Sequence, residues 1–456
     1  MKLCRRHKEL LMIAASLLCP ARAPGAQPAV KTSAGIEWEL GTFVNSSNAR
    51  DGDVIDTTWL DGYWFQTISS VFHVDAVMND RLSAELEYFG SILFTLPKEQ
   101  ADPSRDNQQR TGVGEMRSAH ARLKLGNPSS PAATAWLGYF PFNYAPENRN
   151  LGEYLFKTGT YPGFIVSDDD DARLLGLRIQ TSLPDMLTHD FIANVELNQR
   201  PQGDLSLTYL MRIGMGRPLE IAAGVMGHRL LRSGQAQAAT LNYSNVGDRF
   251  PVLERVWNDS LSDWEYINTG EYYQKAGTKL LGRVVFDPKQ FFLPERLGPQ
   301  DLKLYAEGAV LGVKNYGGYY DNILERIPAM VGFNIPTFKL LDVLALEAEY
   351  YASPWKNSPY DDGRPVPNQS FELNPSKTSY RRILHPAEGA GDKAARDNLK
   401  WSLYAAKTIK ERLTISARVA SDHLRPGREA EVEIGPSERL HGPREFYVLL
   451  GIATRF

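Results

Sequence analysis

Ionisable and polar side chains recur at even spacing in several short stretches of this sequence: His120, Arg122 and Lys124; Arg178 and Gln180; Ser206, Thr208 and Arg212; Arg412 and Arg418. Acids do the same at Glu37 and Glu39, Glu85 and Glu87, and Glu347 and Glu349. In an extended strand, residues two apart share a face. Each set therefore lines one wetted surface. Surfaces carrying fixed charges of both signs can sort ions and small polar solutes that pass between them. The simpler alternative is a polar interior whose charges pair off among themselves.

Other chemistries lack their patterns. Beyond the first residues, the histidines are His73, His120, His189, His228, His385, His423 and His441, with no pair at metal-ligand spacing along the chain. There is no Gly-x-Ser-x-Gly elbow and no glycine-rich phosphate cradle before a helix. No catalytic, cofactor-binding or metal site is assigned, and the chain reads as a non-enzyme.

The most individual segment runs Tyr-Phe-Pro-Phe-Asn-Tyr-Ala-Pro-Glu from Tyr139 to Glu147, passes Glu153, Tyr154, Phe156, Tyr161 and Phe164, and ends in the acids Asp168, Asp169, Asp170 and Asp171. Glu147, Glu153 and the four aspartates are candidates to face the basic residues Arg122, Arg178 and Arg212 across an opening. A packed aromatic loop core, a solvated acid run and a divalent-cation site are the other readings.

These residues must be held by strands. The sequence repeats one unit: alternating strand, short turn, alternating strand, longer polar loop. It opens with Ile36–Val44. Hairpins follow at 63–94, 116–142, 172–199, 205–230, 277–313, 329–351 and 399–422, and a closing strand starts at Phe446. That makes about 16 strands, an even number that leaves both chain ends on one side. The largest connections, 143–171, 232–274 and 354–396, are rich in Gly, Pro, Asn, Asp and Ser, and are read as exposed loops. Trp38, Tyr63, Trp64, Tyr88, Trp136, Tyr139, Tyr209, Tyr350, Trp401 and Phe446 lie in or near strands. They suit two interfacial aromatic girdles, or aromatics lining a sugar path.

In the last strand, Phe446, Val448, Leu450, Ile452, Thr454 and Phe456 share one face, opposite Tyr447 and Arg455. An apolar face that ends on a terminal Phe resembles the closing strand of the Gram-negative outer-membrane β-barrel family. The resemblance implies an all-β, transmembrane antiparallel barrel of porin-like type, with short periplasmic turns and long extracellular loops. It also implies contact with outer-membrane lipid, and recognition of the C-terminal strand by the barrel-assembly machinery. In general porins the third outer loop folds into the lumen and narrows it, which is the role this likeness offers to the loop after Phe142. Porins of this size are often trimers, so a homo-oligomer stays open.

The first residues read as an export leader. Lys2, Arg5, Arg6 and Lys8 precede a short apolar run, Leu10–Leu18, and small residues follow near Ala23–Ala26. The expected division is residues 1–26 as a cleaved signal peptide and 27–456 as one barrel domain. The apolar run is about half the ~20 residues of a spanning helix. Both cysteines, Cys4 and Cys19, fall in the leader, so the exported chain carries no thiol. The full chain holds 51 Lys and Arg against 54 Asp and Glu, a net charge of −3. The leader has five basic residues (Lys2, Arg5, Arg6, Lys8, Arg22) and one acid (Glu9), which leaves about −7 for the rest. A mildly acidic chain argues against a nucleic-acid partner. The expected function is passive passage of small hydrophilic solutes through a water-filled lumen. The alternative is a non-conducting barrel whose outer loops serve as adhesin, receptor or assembly scaffold.

Overall fold

The computed structural model describes residues 29–44, 64–96, 110–157, 172–183, 187–197, 203–214, 216–231, 251–260, 263–272, 276–291, 294–313, 322–352, 371–373, 379–382, 399–422, 440 and 443–456. Residues 1–26, expected to form the leader, lie outside them.

Within that set the chain forms 20 strands. They are β1 (Ala29–Val44), β2 (Trp64–Val77), β3 (Leu82–Leu96), β4 (Arg110–Asn127), β5 (Ser130–Phe142), β6 (Ala172–Leu183), β7 (Leu187–Val195), β8 (Leu205–Ile213), β9 (Leu219–Leu231), β10 (Pro251–Asn258), β11 (Asp263–Tyr272), β12 (Gly277–Phe286), β13 (Leu304–Val310), β14 (Ala329–Asn334), β15 (Val343–Tyr350), β16 (Phe371–Leu373), β17 (Ser379–Arg382), β18 (Leu399–Ile409), β19 (Leu413–Ser421) and β20 (Phe446–Arg455). Sixteen of them close into an all-antiparallel barrel in the order β1 to β9, β12 to β15, β18 to β20. The other four, β10-β11-β17-β16, form a separate small sheet. They fall in the stretches 232–274 and 354–396, which the sequence suggested were irregular loops. Short runs of mixed polar and apolar residues give little periodicity to read there.

The barrel closes where the last strand suggested. Gly35 pairs with Arg455, and the register continues to Val44 opposite Phe446. Past the strand ends, Phe456 N–H donates to the Ala34 carbonyl at 2.8 Å and Ala34 N–H donates back at 3.3 Å. The seam leaves no open edge along its length, so its backbone polar groups find partners within the sheet.

Turn chemistry fixes the register of the hairpins. After β2, the Asn79 carboxamide oxygen accepts the Arg81 and Leu82 amides, each at 2.8 Å, an Asx turn that stands in for backbone pairing. In the three-residue turn between β18 and β19, Lys410 and Glu411 both take positive φ (51° and 58°), and the Arg412 amide donates to the Ile409 carbonyl at 3.2 Å.

Alternation then sorts the side chains. On β7, Thr188, Asp190, Ile192 and Asn194 turn inward and are buried, while Phe191 points outward, 50 % exposed. Outward positions around the barrel are apolar and open: Ile68, Leu137, Leu207, Val331, Leu346 and Leu450 are examples. The inward face is polar along part of the circumference and apolar along the rest. That unevenness comes from one loop.

Candidate functional site: the lumen and its inner loop

The segment that follows β5, residues 143–157, turns back into the barrel. Phe142, Tyr144 and Phe156 pack ring on ring at centroid distances of 5.3 to 6.3 Å. Together with Leu151, Tyr154 and Leu155 they press against inward apolar residues of the wall, including Ile192, Leu210, Met226, Leu281 and Met330. So the wall from β6 to β14 carries apolar residues on its inner face as well, because there it packs against protein instead of water.

Polar contacts fix the loop's position. Glu307 on β13 accepts from the Tyr144 hydroxyl (2.8 Å) and the Tyr154 amide (2.9 Å). Glu347 on β15 accepts three successive backbone amides, Arg149 at 2.6 Å, Asn150 at 2.9 Å and Leu151 at 3.0 Å, together with the Tyr305 hydroxyl at 2.8 Å. Glu349 accepts the Tyr154 hydroxyl at 2.6 Å. From β12, Lys279 donates to the Leu155 carbonyl at 2.9 Å, and Arg283 donates to Glu147 at 2.6 Å. At the far end of the loop the Asn150 carboxamide reaches Asp422, which also accepts from Tyr447 at 2.7 Å. Carboxylates accept and never donate, which is what a run of buried amides requires. Burial holds the Tyr144 and Tyr154 phenols far above their ordinary range, reinforced by Glu307 and Glu349 respectively, so both remain donors.

Glu147 titrates the other way. Burial alone would raise its carboxyl, but the charge and hydrogen bond of Arg283, with Lys303 at 3.7 Å, outweigh it and hold it below the ordinary carboxylate range. A depressed folded value means that its contribution is present above the unfolded pKa and is lost as pH falls through the folded one. Acidification below about pH 4 should therefore loosen the loop. Proteolysis of the folded protein within 143–157, followed as pH is lowered, checks this, and Glu147→Gln should cleave at neutral pH as readily as the parent does in acid.

The candidate wall residues differ in what surrounds them. Glu347 and Glu349, read from sequence as lining an opening, lie under the inner loop and anchor it; Glu347 is 1 % exposed. On β6 and β8, Arg178 and Arg212 share Asp190 of β7, at 2.7 and 3.2 Å. Arg178 also lies over the Trp136 and Phe142 rings (4.3 and 4.7 Å), and Arg122, on the neighbouring strand β4, lies 5.3 Å from the Trp136 ring. Trp136 thus faces inward and belongs to no outer girdle. Lys124 sits by the turn after β4, donating to the Pro128 carbonyl at 3.4 Å. Glu37 and Glu39 on β1, and Glu85 and Glu87 on β3, face inward away from residues 143–157, and Glu37 is exposed.

For Glu147 and Glu153, the expected opposition to Arg122, Arg178 and Arg212 is replaced by other pairs. Glu147 meets Arg283 and Lys303, and Glu153 pairs with Lys157 at 2.8 Å. Asp168, Asp169, Asp170 and Asp171 lie outside the described residues. Sequence reading missed Asp190, Lys279, Arg283 and Glu307. The signal for Asp190 was its place between His189 and Phe191, had the strand been started at Leu187.

Across the lumen from the inner loop, β2 to β4 present a solvated wall. Inward side chains there form two short rows: His73, Glu87 and Ser118, then Asp75, Glu85 and His120. The Asp75 side chain is 46 % exposed, in contrast to the covered acids of β15. The lumen is thus filled on one side and wetted on the other.

No family model matches the chain, and no curated protein matches it. Solved structures do. Two mutants of Rh. blastica porin overlie 94 % of this chain and 100 % of their own, each at 8 % identity and a TM-score of 0.40. A Salmonella typhi OmpF complex with daunomycin overlies 94 % of this chain and 97 % of its own, at 11 % identity and a TM-score of 0.43.

Proposed function

We propose that this protein is an outer-membrane channel for passive diffusion of small hydrophilic solutes. In this reading residues 1–26 direct export, the 27–456 barrel sits in outer-membrane lipid, and the terminal strand is presented to the assembly machinery. The outward belt of exposed Ile, Leu, Val and Phe suits hydrocarbon. The observation that carries the channel reading is the half-filled lumen. The loop at 143–157 is tied to β12, β13 and β15, while the inward face of β1 to β4 keeps polar, solvated side chains. Solutes pass along that solvated wall, and the loop sets how wide the passage is. Glu37, Glu39, Glu85, Glu87, Arg122 and Lys124 give the passage its charge preference.

A second reading has its own observation. The sheet β10-β11-β17-β16 stands apart from the barrel in two of its long connections, and an ordered outer sheet suits a surface receptor or scaffold. One measurement separates the two. The purified, refolded chain in a planar bilayer should give steady steps of current proportional to voltage. Barrels that insert, protect their strands from protease and yet carry no current would overturn the channel reading in favour of the scaffold.

A further inference from the structure

The solvated wall of β2 to β4 differs from the rest of the inward face in how its acids are neutralised. Asp190 is paired with two arginines, Glu147 with an arginine and a lysine, and Glu115 with Arg117 and Arg173. Asp75, Glu85 and Glu87 instead have only histidines as ion-pair partners among the described residues. His73 places Nε2 3.1 Å from Asp75 and Nδ1 3.6 Å from Glu87, and His120 places Nε2 3.9 Å from Glu85. Three carboxylates thus share a small patch with two imidazole rings.

Hydrogen bonding sharpens the imbalance. The Ser118 hydroxyl, buried behind the patch, donates its one proton to Glu85 at 3.1 Å. Its contact with His120 Nδ1 at 2.9 Å must then be an acceptor's, made to an Nδ1–H. Neutral His120 in that tautomer turns the lone pair of Nε2 toward a carboxylate oxygen that also carries lone pairs. Ser118 is thereby no activated nucleophile, although serine, histidine and glutamate stand together here. Its hydroxyl buttresses Glu85 and orients His120.

We infer that His73, Asp75 and Glu85 form a binding site for a divalent transition-metal ion of the zinc class on the lumen wall, with Ser118 positioning Glu85. One ligand atom from each of the three lies within 4.8 Å of the others. Tetrahedral bonds of 2.0–2.2 Å set ligand atoms about 3.4 Å apart, so modest rotamer shifts close the set. An imidazole with two carboxylates favours zinc over calcium or magnesium, which prefer oxygen alone. Three protein ligands leave one coordination position open toward the lumen, for water or for a donor atom of a passing solute. The sheet assembles this set from residues on two strands, which is why no spacing along the chain shows it.

The test titrates Zn2+ into the refolded full-length protein in detergent by calorimetry, and it does not depend on whether the barrel conducts. One saturable site per chain is expected. His73→Gln and Glu85→Gln, on different strands, should each weaken it at least tenfold, with refolding of each variant verified by its β-sheet circular dichroism. His189→Gln, altering an outward ring bonded to Tyr209 at 2.7 Å, should leave it unchanged. Absence of a saturable site, retention of the parent affinity in both refolded variants, or tighter uptake of Ca2+ than of Zn2+ would overturn the assignment.

Discussion

Asp190→Ala is expected to destabilise the barrel by roughly 3–5 kcal/mol, the cost of removing one partner from a buried charge network. Asp190 is fully buried on β7 and is shared by two guanidinium groups. Arg178 donates to it from Nε at 2.8 Å as well as from Nη2, Arg212 donates at 3.2 Å, and the Gln180 carboxamide donates at 3.2 Å. Alanine leaves two positive charges side by side, one of them sandwiched against Trp136 and Phe142 where water cannot easily follow. Asn at the same position keeps an acceptor and the shape but not the charge, and should fall between alanine and the parent. Replacing the whole network (Asp190, Arg178 and Arg212 together) with apolar residues of similar volume should recover most of the loss, because no uncompensated charge then remains. Denaturant midpoints of the refolded proteins in detergent provide the measurement. A loss under about 1 kcal/mol for Asp190→Ala would mean that the arginines are solvated from the lumen like surface pairs.

That network also shows why part of the molecule could be read from sequence and part could not. Strand bounds followed from alternation wherever one face meets water and the other meets an apolar surrounding: the expected closing strand from Phe446, the opening strand ending at Val44, and the starts of the hairpins at Ala172 and Leu399 agree with the observed elements. Parity set from Phe456 likewise put Arg122, Arg178, Arg212, Glu85 and Glu347 on the inward face. The contrast fades where the inner loop packs. Leu281 and Val285 face inward, as do Lys279 and Arg283, so β12 is apolar on both sides with charges interspersed, and its lumen-facing set did not stand out. Which inward charge meets which is fixed by cross-strand register and by where 143–157 settles. Neither is encoded in spacing along the chain. The pairing of Glu147 with Arg283 spans 136 residues, and the patch around His73 needs β2, β3 and β4 side by side.

The inner loop itself yields the second large effect. Glu347→Ala should raise the conductance of the channel and make the open level fluctuate, because this carboxylate alone receives the amides of Arg149, Asn150 and Leu151. Each buried donor left unpaired costs about 1–3 kcal/mol, and three in succession exceed what the neighbouring contacts of one short segment can absorb. The segment then has two ways to recover hydrogen bonds: admit water beneath it, or swing toward the solvated wall. Apolar contacts from Tyr144, Leu151 and Phe156 oppose a complete release, so the loop should sample both positions, and that exchange is read as flicker. Gln at 347 should not rescue the parent behaviour. Its carboxamide offers one acceptor oxygen, and its NH2 would face an amide that also donates. Asp would keep the charge but draw it back by one methylene, so it should restore part of the steady level. Glu349→Gln is the informative neighbour: it alters a single bond, to the Tyr154 hydroxyl, which a carboxamide oxygen can still accept. Single-channel recordings of the four variants should therefore rank Ala and Gln at 347 as the noisiest, Asp as intermediate, and Gln at 349 close to the parent. Equal, quiet conductance in Glu347→Ala and the parent would show that the loop does not bound the passage.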